Sequence, residues 1–298
     1  MTSEHFTVLE LAPGVYGCVA GASQAAVGNA AIIDTGDKTI VVDAFMTTIG
    51  AADLRKTAEA LTGRSVFMLV NSHWHGDHTY GNQIFADVAI VGTAETSSAI
   101  ASDAPSDLDA YGAQLDAAIE EFKEMLESDV EEERDSAARR LRRLTLLHDE
   151  VSRFELTLPN LLIEELLVVD GQRRVEILSY GGGHTDSDVF VWIPGDRLVV
   201  AGDLCFQRHH PRLVDGHPGA WAKILTKILG LGPQTVMPGH GEPGDEGLLE
   251  MLVPYFEEAE SRLADYEGDW ADVPLPRGTE DWDWDYHYGE GLAAIASR

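Results

Sequence analysis

Four metal-ligand side chains fall within the six residues His73-Trp74-His75-Gly76-Asp77-His78, and no other stretch constrains the chain as tightly. In extended backbone, residues two apart point the same way, so His73 and His75 can grip one ion together. Asp77 and His78 follow as the chain turns and can face a second position a few ångströms away. Imidazole and carboxylate suit a borderline ion such as zinc, at about 2.0–2.2 Å. Val66-Phe67-Met68-Leu69-Val70 is an apolar, β-prone run that reads as a buried strand, and Asn71-Ser72 carries the cluster out at its C-terminal end. In layered α/β folds that end of a strand is where sites gather. The bland alternative is a polar loop of solvated histidines. A single His-x-His would favour it; His-x-His-x-Asp-His reverses the balance.

Three downstream segments repeat one pattern, an apolar run followed by glycine and a ligand-capable residue. Gly181-Gly182-Gly183-His184-Thr185-Asp186 follows Val175-Glu176-Ile177-Leu178, Ala201-Gly202-Asp203 follows Leu198-Val199-Val200, and Pro238-Gly239-His240-Gly241 follows Thr235-Val236-Met237. Glycine there lets the backbone turn sharply and approach an ion closely. Together these residues resemble the metallo-β-lactamase fold superfamily, over roughly residues 8–265 and in the family's order. That resemblance implies a first zinc on His73, His75 and His184. It implies a second on Asp77, His78 and His240, with Asp203 bridging the two. The fold it implies is α/β, an αββα sandwich of two mixed β-sheets with outer helices and the site along one edge.

Ligands from position 73 to 240 must converge on one point, which makes that stretch one cooperative unit. We expect a hydrolase domain over 1–266 and an acidic, aromatic C-terminal extension over 267–298 that packs on it. The hydrophobic fraction of 44% is ordinary for a globular core. The formal charge, 21 − 51 = −30, is extreme. Such a surface repels phosphate backbones and disfavours nucleic acid as a partner. The first ten residues lack a basic start followed by an apolar run, and no stretch is long and apolar enough to span a membrane. Cys18 and Cys205 read as reduced thiols, so the expected compartment is the cytoplasm. Cys205 lies two residues beyond Asp203, and a buried strand cysteine is favoured over a ligand.

Residues 7–20 and 29–43 read as antiparallel strands; the resemblance implies that Asp43, at the end of the last, accepts from a metal-bound histidine, and surface capping is the alternative. A helix is expected over 49–62. A helical insertion is expected over about 95–152. Leu108, Tyr111, Leu115, Ile119, Phe122 and Leu126 mark one amphipathic helix of it, and Ala137, Leu141, Leu144 and His148 a second. Such a hairpin could cover the sheet, shape the substrate cleft or form a homodimer contact. Strands are expected near 153–158, 161–169, 173–178, 188–193 and 197–202, and helices near 218–230 and 245–266. Asp281-Trp282-Asp283-Trp284-Asp285-Tyr286 alternates acid with aromatic, a strand or loop laying its rings on the domain rather than on substrate.

The parts predict a metal-dependent hydrolase. Two zinc ions would share a water, pull its pKa towards about 7 and direct the hydroxide at an acyl bond of a small molecule. Iron and manganese are the other metals such ligands accept. Asp77 and Asp203 are the candidate catalytic carboxylates, either able to orient the oxygen of that water, and the resemblance implies that Asp77 takes or returns the proton. Beyond Asp203, Arg208 could clamp a substrate carboxylate and His209 could donate to an oxyanion. By the resemblance, β-lactamases carry cysteine or serine where this chain has Asp203, and one branch has a lysine where this chain has Phe206. Homoserine-lactone hydrolases place a tyrosine there. Asp203 is most similar to the glyoxalase II-like thioesterases and related ester hydrolases, without their basic glutathione patch. The expected bond is therefore an ester, thioester, lactone or β-lactam. The alternatives are β-lactamase activity, main or promiscuous, and an iron-dependent sulfur dioxygenase of the same fold.

Overall fold

The computed structural model describes residues 3–21 and 23–298, apart from the side chains of Glu132 and Glu133, and among them short apolar runs build two mixed β-sheets. The first sheet holds β1 (Phe6–Ala12), β2 (Val15–Ala20), β3 (Ala30–Asp34), β4 (Thr39–Val42), β5 (Val66–Val70), β6 (Ala89–Gly92) and β7 (Leu161–Leu162), in that order. Neighbours are antiparallel from β1 to β4 and parallel from β4 to β7. The second sheet adds β8 (Leu166–Val169), β9 (Val175–Gly181), β10 (Asp188–Ile193), β11 (Leu198–Phe206) and β12 (Thr235–His240). They pair in the order β12-β11-β10-β9-β8, and only β11 and β12 are parallel.

Period-two alternation sends the apolar residues of each strand to opposite faces. Ile33, Ile40, Val42, Met68 and Val70 meet Val175, Ile177, Val191, Val200 and Met237 between the sheets. Ile32, Val41, Leu69 and Ile90 face outwards onto helix α1 (Thr48–Thr62), through Ala51, Leu54 and Ala58. Helix α2 is the single turn Gly76–Thr79 after β5. The insertion holds α3 (Ala94–Asp103), α4 (Leu108–Met125) and α5 (Glu131–Glu150). On the far side, α6 (Pro218–Gly230) and α7 (Gly247–Asp265) cover the second sheet, and α8 (Tyr286–Ala296) follows the tail. Two mixed sheets between outer helices are the expected αββα sandwich. No helix among the described residues is long and apolar enough to cross a membrane.

Some elements differ from expectation. Residues 153–158 form no strand: a 3₁₀ turn at Val151–Arg153 leads into irregular chain, where Phe154 sets its ring against Tyr80 at 5.2 Å. The run 161–169 is two strands in different sheets, because the chain crosses over at the buried Ile163. The insertion has a helix, α3, ahead of the expected hairpin of α4 and α5. Its last residue, Glu150, is buried and accepts from Thr48 N and Ile49 N at 2.6 and 3.0 Å, so its carboxylate caps the N-terminus of α1.

Candidate metal centre

β5 delivers the histidine cluster as the sheet pattern demands, and α2 then turns Asp77 and His78 away from His73 and His75. Two sets of ligand atoms result: His73, His75, His184 and Asp203 in one, Asp77, His78 and His240 in the other, each within 4.8 Å of one another. Within the first, Asp203 Oδ2 lies 3.3 Å from His184 Nε2 and 3.7 Å from His73 Nε2, and His75 Nδ1 lies 2.9 Å from His184 Nε2. Within the second, Asp77 Oδ2 lies 3.2 Å from His240 Nε2 and 3.6 Å from His78 Nε2. Asp203 reaches this set too, with Oδ1 3.1 Å from His78 Nε2 and Oδ2 3.4 Å from His240 Nε2. The structure therefore brings together all seven residues expected to bind metal.

The donor sets fit a divalent ion. A tetrahedron of bonds of about 2.0–2.2 Å separates its ligand atoms by about 3.3–3.6 Å, close to the distances found between them here. His73 Nε2, His78 Nε2 and Asp203 Oδ1 are buried and make no hydrogen bond. Buried polar atoms rarely lack a partner, and three in one pocket mark a place for a cation. Glycine lets the strands close around it. A side chain at Gly239 would overlap Asp203 Oδ1, and one at Gly202, whose φ is +53°, would come within 2.5 Å of Ser72 Cβ.

Outer contacts fix the ring orientations. Asp43, held at a left-handed φ of 62°, accepts from Ser72 N and Ser72 Oγ, both at 2.7 Å, and from His78 Nδ1 at 2.8 Å. The Ser72 hydroxyl thus spends its proton on Asp43, so its oxygen accepts from His73 Nδ1 at 3.0 Å. Both histidines then turn Nε2 inwards, the atom left to bind a cation once any proton on it is displaced. This is the acceptor role expected of Asp43. Asp188 accepts from the backbone N–H groups of Gly183, His184 and Thr185 and from the Thr185 hydroxyl, which shapes the loop that carries His184.

Electrostatics divides the two sets. Burial holds His73 and His184 well below the ordinary imidazole pKa. Burial also opposes charge on His78 and His240, yet Asp203 and Asp77 outweigh it. His78 is pushed well above its usual value and His240 up to about 9. In return, despite burial, the histidines hold Asp77 and Asp203 below the carboxylate range. The second set is thus a proton store that a cation can displace.

The remaining candidates belong to neither ligand set. Arg208, more than half exposed, pairs with Asp281 at 2.8 Å in the C-terminal tail rather than facing the cluster. His209 donates Nδ1–H to Gln207 O at 2.7 Å, and its ring lies 4.1 Å from that of Trp284. Cys205 is buried in the core beneath α6 and belongs to neither ligand set. Sequence reasoning missed Asp215 and Arg212. Asp215 Oδ2 lies 3.0 Å from His75 Nε2, and Arg212 Nη1 lies 3.0 Å from Asp215 and 3.2 Å from the same ring nitrogen. No local signal tied position 215 to position 75. Trp284, in a segment whose acid-aromatic alternation reads as packing, also stands beside the second set, its ring 5.2 Å from that of His240.

Comparison with known proteins agrees with this geometry. A profile of the metallo-beta-lactamase superfamily matches residues 24–240. The chain is 31% identical over 84 residues to a metallo-beta-lactamase type 2 of Bacillus cereus, covering 26% of this chain and 33% of that protein. The corresponding figure for Pseudomonas aeruginosa is 32% over 84 residues, with the same coverage. The match thus spans about a third of these curated relatives. Among solved structures, a metallo-beta-lactamase from Pontibacter korlensis superposes with a TM-score of 0.61 at 15% identity, over 85% of this chain and 99% of that one. The DIM-1 metallo-beta-lactamase gives 0.60 at 17%, over 86% and 98%. Those two likenesses speak for the fold.

Proposed function

The chain belongs to the metallo-beta-lactamase superfamily, and from that premise we propose that it is a metal-dependent hydrolase cleaving an acyl bond of a small molecule at a pair of zinc ions. The observation that carries this reading is the central place of Asp203, whose two oxygens lie 3.1–3.7 Å from ligand nitrogens of both sets. Zinc held there would supply Lewis acidity, lowering the pKa of water towards about 7 and polarising a carbonyl.

The chain's own groups do the rest. Asp77 has the most open side chain of the seven ligands, 19% exposed against 9% or less for the others. Held as a carboxylate, it accepts a proton from the attacking water and returns it to the departing oxygen, sulfur or nitrogen. Water adds to the acyl carbon, and the bond to the leaving atom breaks. His73 and His184, held neutral by burial, fix the first position together with His75. Asp203 holds the two positions at a fixed separation. Arg208 and His209 enter this reading as supports of the tail. The buried, unpaired Cys18 and Cys205 suit a reducing compartment.

A second reading places β-lactams among the acyl bonds, favoured by the stretch shared with the Bacillus cereus protein. The complete second ligand set weighs against a single-iron sulfur dioxygenase. Metal analysis of protein produced without added metal should return about two zinc per chain rather than one iron. A panel of chromogenic ester, thioester, lactone and cephalosporin substrates should show turnover that His75→Ala abolishes while its circular dichroism is retained. Unchanged turnover in that variant would remove the site from the chemistry.

A further inference from the structure

We propose that the C-terminal tail walls the substrate cleft beside the second metal position, and that Trp284 is a specificity-determining residue that packs on a flat aromatic group of the substrate. This rests on the acyl-hydrolase reading and narrows its substrate class. The Trp284 ring stands edge-on to the ligand His240, 5.2 Å between centroids, while Phe206 stacks on His240 at 5.3 Å and 14°. Trp284 is half-buried where Trp282 is buried, and its ring stands next to the second ligand set.

The chain goes to some length to hold it there. Asp283 N donates to Arg208 O at 3.0 Å and His210 N donates to Asp283 O at 2.8 Å, a short bridge that ties the tail to the segment leaving β11. On either side the chain is anchored in the core: Trp282 is buried and stacked on Tyr255 at 8°, and Tyr288 is fully buried. Between these anchors Trp284 adopts a left-handed φ of 64°. A bulky side chain disfavours that conformation, which surroundings impose mostly at ligand clamps and active sites. A ring needed only for packing could lie inwards like Trp282.

The insertion reinforces the same wall. Arg140 of α5 donates to the Tyr286 hydroxyl at 3.0 Å and lies over both the Tyr286 and Phe122 rings at 5.5 Å. His287 completes the aromatic surface, its ring 5.6 Å from that of Trp284. A wall of indole, phenol and imidazole rings favours a planar apolar partner, which stacks or meets it edge to face. Asp283 and Asp285, both exposed, flank Trp284 in the chain and disfavour a substrate that carries negative charge at its far end.

The test uses binding, so that it stands apart from turnover. Zinc-loaded wild-type protein, Trp284→Ala and Trp284→Phe are titrated calorimetrically with phenylacetate and with acetate, two carboxylates that differ by one ring. Wild type should prefer phenylacetate by about threefold to tenfold, the range one aromatic pair supplies. Trp284→Ala should lose that preference, Trp284→Phe should keep most of it, and all three should retain the same zinc content. An equal preference in Trp284→Ala overturns the proposal, as does loss of zinc in that variant or failure of wild type to bind phenylacetate more tightly than acetate. If no ester, thioester, lactone or cephalosporin is hydrolysed, the proposed activity fails while this contrast still decides the role of Trp284.

Discussion

His75 shows how far one carboxylate reaches into a site it does not enter. Its Nε2 can give its proton to Asp215 but not to Arg212, which is itself a donor. Asp215, fixed by Arg212, therefore selects the tautomer that leaves Nδ1 bare for metal. Asp215→Ala should weaken metal binding at the first position by about 10–100-fold, the usual effect of removing such a partner. Competition with a chelating indicator measures this; equal affinity in the variant would show that His75 needs no orienting. The second set makes a different prediction. His240, at about 9, and His78 hold protons at neutral pH in the metal-free protein. Metal must displace them, so binding releases protons and affinity falls as pH drops below about 9. Calorimetry in buffers of different ionisation enthalpy should find about one to two protons released per chain at pH 7.5. Identical heats in all buffers would contradict the charge assignment. The seven ligands themselves were legible because each sits in a local pattern of strand, glycine and ligand. Asp215 was not, since its contact with His75 spans 140 residues and leaves no trace in spacing.

Elements were legible where one property dominated. β5 appears at Val66–Val70 as expected, because an apolar, β-prone run of five residues is too short for a core helix, although Phe67 within it is 45% exposed rather than buried. α6 appears at Pro218–Gly230, because proline at its first turn and an apolar face agree on the boundary. α8 was not expected, since Gly289 and Gly291 argue against a helix. Packing overrides that propensity: a side chain at Gly291 would come within 2.5 Å of Leu213 Cβ, so the glycine is what lets the helix dock. The same tertiary logic makes α6 more than a cover. Trp221 is fully buried, stacks on Phe256 of α7 at 3.9 Å, and donates its indole N–H to Leu204 O at 3.0 Å. Its ring also stands edge-on to His184 at 5.1 Å. Trp221→Ala should cost about 3–5 kcal/mol of stability, from lost burial, the cavity and the stranded carbonyl. Urea unfolding reads this directly. A loss below about 1 kcal/mol would mean that the α6–α7 layer contributes little to the sheet it covers.

Charge acts on the whole molecule. A net −30 sits on a chain with five lysines, and its carboxylates outnumber cationic side chains by more than two to one. The ion pairs do little to offset this. Asp37–Lys38, Glu120–Lys123 and Asp170–Arg174 all lie at the surface, where such pairs contribute at most about 1 kcal/mol each. Folding gathers the unpaired carboxylates into a smaller volume than the unfolded chain occupies, so their repulsion destabilises the compact state. Salt shortens its range, from a Debye length of about 10 Å at 0.1 M to about 3 Å at 1 M. The urea midpoint should therefore rise steadily with sodium chloride between 0.05 and about 1 M. Chloride is the right anion, because sulfate also strengthens apolar burial and would raise the midpoint of a neutral protein as well. Urea is the right denaturant, because guanidinium is itself a screening cation. The gain should shrink once zinc is bound, since cations at Asp77 and Asp203 already neutralise part of the charge that salt would screen. A midpoint that stays flat or falls with chloride would show that the acidic surface is spread widely enough to leave folding untouched, and that the excess of carboxylates acts on solubility alone.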